Sequence, residues 1–173
     1  MALSKIDAAN FLTGTIPQGN VANASLGAVT ALPAAISTGK VLQVVSANRT
    51  SAITTNQTSF TQTFGLSITP SSTSSKIFVT VQIAGFNDTT ATSMYYTIYR
   101  NTTNLGNSST GFCRTYNGGS NLGSSVVATY LDSPSTTSST DYYVYVKADA
   151  GLAYISVNGA TSTITAMEIE GWL

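Results

Sequence analysis

Charged residues and cysteine are scarce in this chain, and histidine is missing altogether. Only 8% of the 173 residues are charged, with seven basic side chains, seven acidic side chains and one cysteine. Without histidine, Ser-His-Asp and Cys-His nucleophilic systems cannot form, and the commonest zinc ligand is lacking. The single cysteine, Cys113, rules out a disulfide within this chain and a CxxC metal or redox site. The sequence therefore excludes catalysis by those groups.

The charges also balance, which limits the partners. A formal net charge of zero provides no positive field for phosphate backbones, so we expect no nucleic-acid partner. No apolar run approaches the roughly 18 residues of a membrane span, so we expect no membrane insertion. No signal-peptide apolar core follows Met1, which predicts synthesis in the cytosol. A neutral chain tends to associate, and this favours a place inside an assembly.

Hydroxyl groups carry most of the polarity. The chain has 23 serines and 28 threonines, together with nine tyrosines. Threonine and tyrosine favour the pleated, half-buried surface of a strand, whereas the good helix formers Glu, Lys and Gln are rare here. The composition therefore predicts an all-β protein.

The chain divides near Gly39 into two segments. Residues 1–38 are mostly small and carry apolar side chains without a strand or helix period, which predicts an extended arm. Such a segment has too many apolar residues for a solvated linker, so we expect it to become ordered against another surface. Packing on its own domain is the alternative. The predicted anchoring residues are Phe11, Leu12, Ile16, Val21, Leu26, Val29, Leu32 and Ile36.

Residues 39–173 are predicted to form the head domain. Strand-length runs alternate there with clusters of Asn, Asp, Gly, Ser and Pro that favour turns. Eight or nine short strands of this kind are typical of an antiparallel β-sandwich, here predicted to be jelly-roll-like. The predicted strands are Val41 to Ala47, Ser59 to Ile68, Lys76 to Gly85, Met94 to Arg100, Gly111 to Tyr116, Ser124 to Leu131, Asp141 to Ala148, Ala153 to Val157 and Thr161 to Glu170.

Alternation within the strands predicts which faces are buried. One face of the strand from Lys76 is apolar at Ile77, Val79, Val81 and Ile83, and we expect it to face the core. The strands from Met94 and Asp141 are instead non-polar on both faces, which implies a second burial surface. That surface contains four tyrosines, predicted either to pack in an oligomer interface or to stack on sugar rings. They are Tyr95, Tyr99, Tyr143 and Tyr145.

Carboxylates are the remaining candidates for chemistry. Glu168 and Glu170 lie two apart on a predicted strand, so both side chains project from one face. Such a pair suits a glycosidase or a calcium site, and a solvated or interfacial strand edge is the favoured alternative. Asp88, Asp132 and Asp149 lie in predicted turns. Hydrogen bonds from an Asp side chain to the nearby turn backbone explain their presence there without a metal. We therefore predict no catalytic residue, no metal site and no cofactor.

Four blocks of sequence point to a family. They are GKVLQVVSA from Gly39, LSITPSSTSSKIFVTVQIAG from Leu66, YLDSPSTTSSTDYYVYV from Tyr130 and STITAMEIEG from Ser162. From Gly39 to Gly171 the chain resembles small virion proteins and fibre-tip domains of marine tailed phages, notably cyanophages. The arm, with LTGTIPQGNVANASLGAV, is similar to low-complexity attachment regions of phage fibres and decoration proteins. The resemblance implies a trimeric β-sandwich head presented on a capsid or tail. The family has no catalytic residue that could be matched to a position in this chain.

Together these observations predict a non-enzymatic virion protein. The leading hypothesis is a homotrimeric capsid decoration or cement protein, made in the host cytoplasm and attached by its arm to the major capsid protein or another virion protein. A receptor-binding or glycan-binding short tail fibre, with a host-surface glycan as partner, is the first alternative. Residues 1–38 leave room for only a short stalk, which favours decoration. A polysaccharide-degrading virion enzyme is the second alternative, disfavoured because only seven acidic residues are available.

Overall fold

The computed structural model describes residues 40–119 and 122–170. The predicted arm and its eight anchoring residues, from Phe11 to Ile36, lie outside the described residues and remain predictions. The described part is built from strands and one short 3-10 helix, Val157–Gly159, with no α-helix among these residues. The all-β prediction is therefore confirmed.

The described residues contain eleven strands, and they include all nine that the sequence predicts. The two additional strands, β2 and β6, have three residues and two residues, too few for an alternating pattern to be recognised. The strands are β1 (Val41–Arg49), β2 (Ile53–Thr55), β3 (Thr61–Ile68), β4 (Lys76–Asn87), β5 (Thr92–Arg100), β6 (Thr103–Asn104), β7 (Cys113–Asn117), β8 (Leu122–Asp132), β9 (Thr140–Ala148), β10 (Ala153–Ile155) and β11 (Ser162–Ile169).

The strands form two antiparallel sheets. In sheet A, β1 pairs with β11, β11 with β4, and β4 with β8, while the short β10 and β2 extend the sheet beyond the end of β11. In sheet B, β3 pairs with β9, β9 with β5, and β5 with β7 and the short β6. Apart from β2, β6 and β10, the remaining eight strands are thus divided four and four, and the chain crosses repeatedly between the sheets. This strand order confirms the jelly-roll-like sandwich.

The core lies between the inner faces of the two sheets. Ile77, Val79, Val81 and Ile83 are each at most 1% exposed, so the alternation in the sequence identified the inner face of β4 correctly. Sheet B contributes residues such as Tyr96, Ile98, Val144 and Val146 to the same cluster. Burying each of these aliphatic side chains stabilises the fold by about 1.5–3 kcal/mol before entropy is counted.

A buried carboxylate joins the two sheets at one end of the sandwich. The inward-facing Asp132 on β8 is 5% exposed. It accepts hydrogen bonds from Arg100 Nη1 on β5 at 2.8 and 3.0 Å, and from the Tyr142 hydroxyl on β9 at 2.6 Å. Burial raises the pKa of the Tyr142 phenol, and the bond to Asp132 raises it further. The phenol therefore stays a hydrogen-bond donor, and Asp132 ties sheet A to both central strands of sheet B.

Removing the arginine from this group should destabilise the whole sandwich. In Arg100→Met the Asp132 charge keeps its buried position but loses its only cationic partner among the described residues. We expect the free energy of unfolding to fall by about 2–4 kcal/mol, measured by urea denaturation. Arg114→Met is the matched control, because Arg114 is exposed on β7 and should cost less than about 0.5 kcal/mol. Equal losses in the two variants would contradict the structural role of this ion pair.

Candidate functional site

Glu168, one member of the predicted carboxylate pair, points into the sandwich. It lies on β11 on the same face as Ile164 and Ala166, and none of the three is solvent-exposed. Its Oε1 atom accepts hydrogen bonds from the Ser71 amide at 2.7 Å and from the Ser71 and Ser75 hydroxyls at 2.6 Å. Its Oε2 atom accepts one from Gln43 Nε2 at 2.6 Å. The side chain therefore holds the β3–β4 loop and β1 together.

This hydrogen bonding stabilises the charged form of Glu168. Burial alone would raise the pKa of this carboxyl, but the bonds donated by Ser71, Ser75 and Gln43 outweigh it and lower the pKa to about 2. A carboxylate whose oxygens are occupied by four donors and that lies out of contact with solvent cannot reach a sugar substrate. Glu168 is consequently a structural residue, and it does not form a solvent-facing pair with Glu170.

The other predicted turn carboxylates also have local partners. Asp88 accepts hydrogen bonds from the Thr89 hydroxyl, the Tyr154 hydroxyl and the Leu152 amide at 2.9–3.2 Å, and its pKa is lowered mainly by the bond from Thr89. Asp149 accepts one from the Tyr95 hydroxyl. Within residues 40–119 and 122–170, no three His, Cys, Asp or Glu side chains are grouped to hold a metal ion. No helix in this described part is long and apolar enough to cross a membrane.

The predicted tyrosines all lie on the outer face of sheet B. Tyr99 on β5 and Tyr145 on β9 stack with their ring centroids 3.8 Å apart and their planes at 22°. Tyr143 lies directly opposite Tyr99, and its hydroxyl donates to Asp141. The nearby Asp141 charge is the main reason why the pKa of Tyr143 is raised. These three rings are partly exposed, and we call them the tyrosine cluster.

Tyr95 has a different environment from the other three. It is 9% exposed, its hydroxyl donates to Asp149 at 3.0 Å, and the Lys147 ammonium lies 4.8 Å from its ring centroid. Both the ring and the hydroxyl are thus engaged within this chain. The accessible part of the predicted site is therefore the tyrosine cluster without Tyr95.

The outer face of sheet A forms a second surface, which the sequence reasoning missed. Strand register places outward side chains of β1, β11, β4 and β8 in rows across the sheet. The first row is apolar, the second carries only hydroxyls, and the third is uncharged; we call these twelve residues the uncharged face. The rows are Val44, Met167, Phe78 and Leu131; Ser46, Thr165, Thr80 and Thr129; and Asn48, Thr163, Gln82 and Val127.

Several residues of this face are widely open to solvent. Val44, Leu131 and Val127 are 56%, 53% and 64% exposed, and most of the exposed large apolar residues that the structure describes lie on β1 and β8. A sequence signal for this was present, because Val126 and Val127 are consecutive and must occupy opposite faces of one strand. A solvated sheet face is usually rich in charge, so this surface is a candidate for burial against another molecule.

Comparison with known proteins assigns no family to this chain. No protein-family model matches the chain, and no curated protein sequence matches it either. One solved structure, the infectious bursal disease virus VP2 subviral particle, matches 75% of this chain at 11% identity and a TM-score of 0.48. The structure of the infectious bursal disease virus Gx strain matches 76% at 10% identity and a TM-score of 0.42. This chain spans 33% of each of those chains, and the fold assignment rests on its own strand order.

The buried Glu168 predicts a specific dependence of stability on acid. Because its folded pKa is lowered to about 2 from the usual 4.5 of a glutamate, the charged form contributes stability above pH 4.5 that is lost as the pH falls towards 2. The contribution is on the order of 3 kcal/mol. In Glu168→Gln, urea denaturation should show a lower free energy of unfolding at pH 7. The deficit relative to the unsubstituted chain should shrink between pH 4.5 and pH 2.

Glu170→Gln provides the control for this measurement. It makes the same chemical change two residues along, where the buried Oε2 atom of Glu170 accepts no hydrogen bond from the described residues. We expect Glu170→Gln to cause no loss of stability at pH 7, because the change removes no hydrogen bond from this buried oxygen. If Glu168→Gln were as stable as the unsubstituted chain at pH 7, the role assigned to the Glu168 hydrogen bonds would be wrong.

Proposed function

We propose that this chain is a virion structural protein, a homotrimeric decoration or cement protein of a tailed-phage capsid that is attached by its N-terminal arm. The uncharged face of sheet A is the observation that carries this proposal. An apolar row and a hydroxyl row across four strands form a surface suited to burial in an assembly and not to prolonged contact with water.

Two further observations support a structural role. The jelly roll is a fold that viral capsid proteins use, although fold alone does not determine function. In addition, the buried carboxylates Asp132 and Glu168 have their oxygens committed to hydrogen bonds inside the sandwich. Acid–base chemistry needs a carboxyl within reach of a substrate, so these two groups favour a scaffold over a hydrolase.

The proposed trimer uses the tyrosine cluster on sheet B. Tyrosine is enriched at protein interfaces because its ring supplies a large contact area and its hydroxyl keeps a polar partner. Tyr99, Tyr143 and Tyr145 combine these properties, being partly exposed and lying side by side on the outer sheet face.

A lysine in this cluster should therefore dissociate the trimer. Tyr143→Lys and Tyr145→Lys each place an ammonium group in the proposed interface, where it must lose its water, and the mass from light scattering should fall to one third at micromolar concentration. Tyr116→Lys is the control, since Tyr116 is an exposed tyrosine on β7 outside the cluster. A mass that Tyr143→Lys and Tyr145→Lys leave unchanged would count against this interface.

The proposed attachment depends on the arm. Eight apolar side chains without a helical or strand period suit burial on an external surface, and three arms joined by one trimer bind far more tightly than a single arm.

Deleting residues 2–36 should leave the β-type circular dichroism unchanged while abolishing co-sedimentation with particles that lack the native protein. If the truncated chain still binds those particles stoichiometrically, the attachment site lies in the sandwich.

Glycan binding by a short tail fibre is the second candidate function. The stacked Tyr99–Tyr145 pair favours it, because partly exposed rings beside amide and carboxylate groups form a platform for a sugar. Gln62 accepts the Tyr145 hydroxyl bond at 3.1 Å and Asp141 the Tyr143 hydroxyl bond at 3.4 Å. Binding of host-surface glycans that Tyr145→Ala abolishes, with the mass in solution unchanged, would favour this function over a trimer contact.

A further inference from the structure

Strand β8 forms an unusually regular edge of sheet A. All eleven of its residues pair with β4 in one unbroken antiparallel register. Among the residues that the structure describes, no strand pairs with the other side of β8, and no loop forms a hydrogen bond with its backbone. About half of its N–H and C=O groups therefore point away from the sheet.

The edges formed by β1, β3 and β7 carry features that normally prevent edge-to-edge pairing. Strand β1 has a register irregularity between Val41 and Gln43 and ends in Arg49. Strand β3 has an irregularity between Gln62 and Phe64. Strand β7 has only five residues, including Arg114. Bulges, charges and short length are recognised means of protecting an edge.

Strand β8 has none of these protective features. Its sequence, LGSSVVATYLD, contains no proline and no charge before the final Asp132, and Asp132 is held inside the sandwich by Arg100 and Tyr142. Its outward residues Val127 and Leu131 are among the most exposed apolar residues described. An unprotected edge of this kind is a template for another strand.

We propose that β8 pairs antiparallel with β8 of a second copy of this chain, about a two-fold axis at Val127. This residue is the midpoint of β8, so the register pairs all eleven residues of both strands. The four long strands of sheet A in one copy and the same four strands in the other copy would then form one continuous sheet of eight long strands.

Self-pairing is favoured over a foreign strand by the chemistry of this register. A two-fold axis at Val127 pairs β8 with itself in reverse, and residues 122–131 contain no charge that such a pairing would leave without an opposite partner. The one charged residue of the strand, Asp132, would lie opposite Leu122, but its carboxylate is bound inside the sandwich by Arg100 and Tyr142. Hydroxyl meets hydroxyl at Ser125 and Thr129, and apolar meets apolar at Val126 and Ala128. The zero net charge of the chain also leaves no long-range repulsion between copies.

The same register matches a large side chain to a small one. Leu131 of one copy would lie opposite Gly123 of the other, beside the Phe86 that pairs with Gly123 in sheet A. No atom lies within 4 Å of the position that a Gly123 Cβ would occupy. The Leu131 side chain therefore has open space there.

Cysteine crosslinking tests this pairing directly. Val127→Cys places two thiols opposite each other at the axis, with Cβ atoms about 4.5–5.5 Å apart, and oxidation should give a covalent dimer on a denaturing non-reducing gel. Val44→Cys is the control, because Val44 is similarly exposed on the opposite edge strand. The native Cys113 is half-buried and burial raises its pKa to about 11, so background crosslinking should be slow. Crosslinking of Val127→Cys no faster than Val44→Cys would overturn the proposal.

Solution mass gives a second, independent readout. Val127→Lys sets two lysines face to face and should halve the mass found by sedimentation equilibrium, whereas the isosteric Val127→Thr should leave it unchanged. Val127 is exposed, so neither variant should alter the circular dichroism. A mass that Val127→Lys does not reduce would also overturn the proposal.

The contact does not depend on the proposed virion function or on the trimer. A two-fold contact can join two trimers or two single chains. Substitutions in the tyrosine cluster should reduce the mass by a factor of three, and those in β8 by a factor of two. The two proposals can therefore fail separately.

Discussion

Two carboxylates that face the interior at one end of the sandwich constrain the rest of the structure. Asp132 and Glu168 flank Ile77 on neighbouring strands of sheet A, so their backbones are roughly 10 Å apart. An ionised carboxylate in the interior is strongly unfavourable unless it is paired or hydrogen-bonded. Arg100 and Tyr142 donate hydrogen bonds to Asp132. Ser71, Ser75 and Gln43 donate hydrogen bonds to Glu168. Satisfying these two groups fixes the β3–β4 loop, β1 and the two central strands of sheet B.

The scarcity of charge has its main consequence at the surface. Asp132 and Glu168 are buried inside the sandwich, and Asp88 and Asp149 accept hydrogen bonds in turns. The Lys147 ammonium lies between the Phe60 and Tyr95 rings. Apart from Lys76 at one end of β4, whose ammonium donates to the Ser133 hydroxyl, the outer face of sheet A carries hydroxyl, amide and apolar groups. Such a face is suited to an assembly, which links the composition of the chain to the proposed structural role and to the unprotected β8 edge.

Much of the fold could be predicted from local pattern, and parts of the surface could not. Alternation at Ile77 to Ile83 identified the inner face of β4, and turn residues separated the nine predicted strands. The inward position of Glu168 was also readable, because it shares a strand face with Ile164 and Ala166. In contrast, the accessibility of the four tyrosines differed although their sequence pattern was the same. The Lys147 ammonium lies over the Tyr95 ring, and Asp149 accepts a hydrogen bond from the Tyr95 hydroxyl. These contacts cannot be deduced from strand alternation.

The sequence by itself determined the all-β class, the strands of the sandwich and the side chains that enter its core. These follow from a period of two and from turn residues, which act over a few neighbouring positions. Only the tertiary structure decided which donors meet the buried carboxylates, since Gln43 and Glu168 are 125 residues apart and Ser71 and Glu168 are 97 apart. It also decided that β8 lies at an edge and that four strands align their apolar residues in one row, because strand order and register are set by long-range pairing.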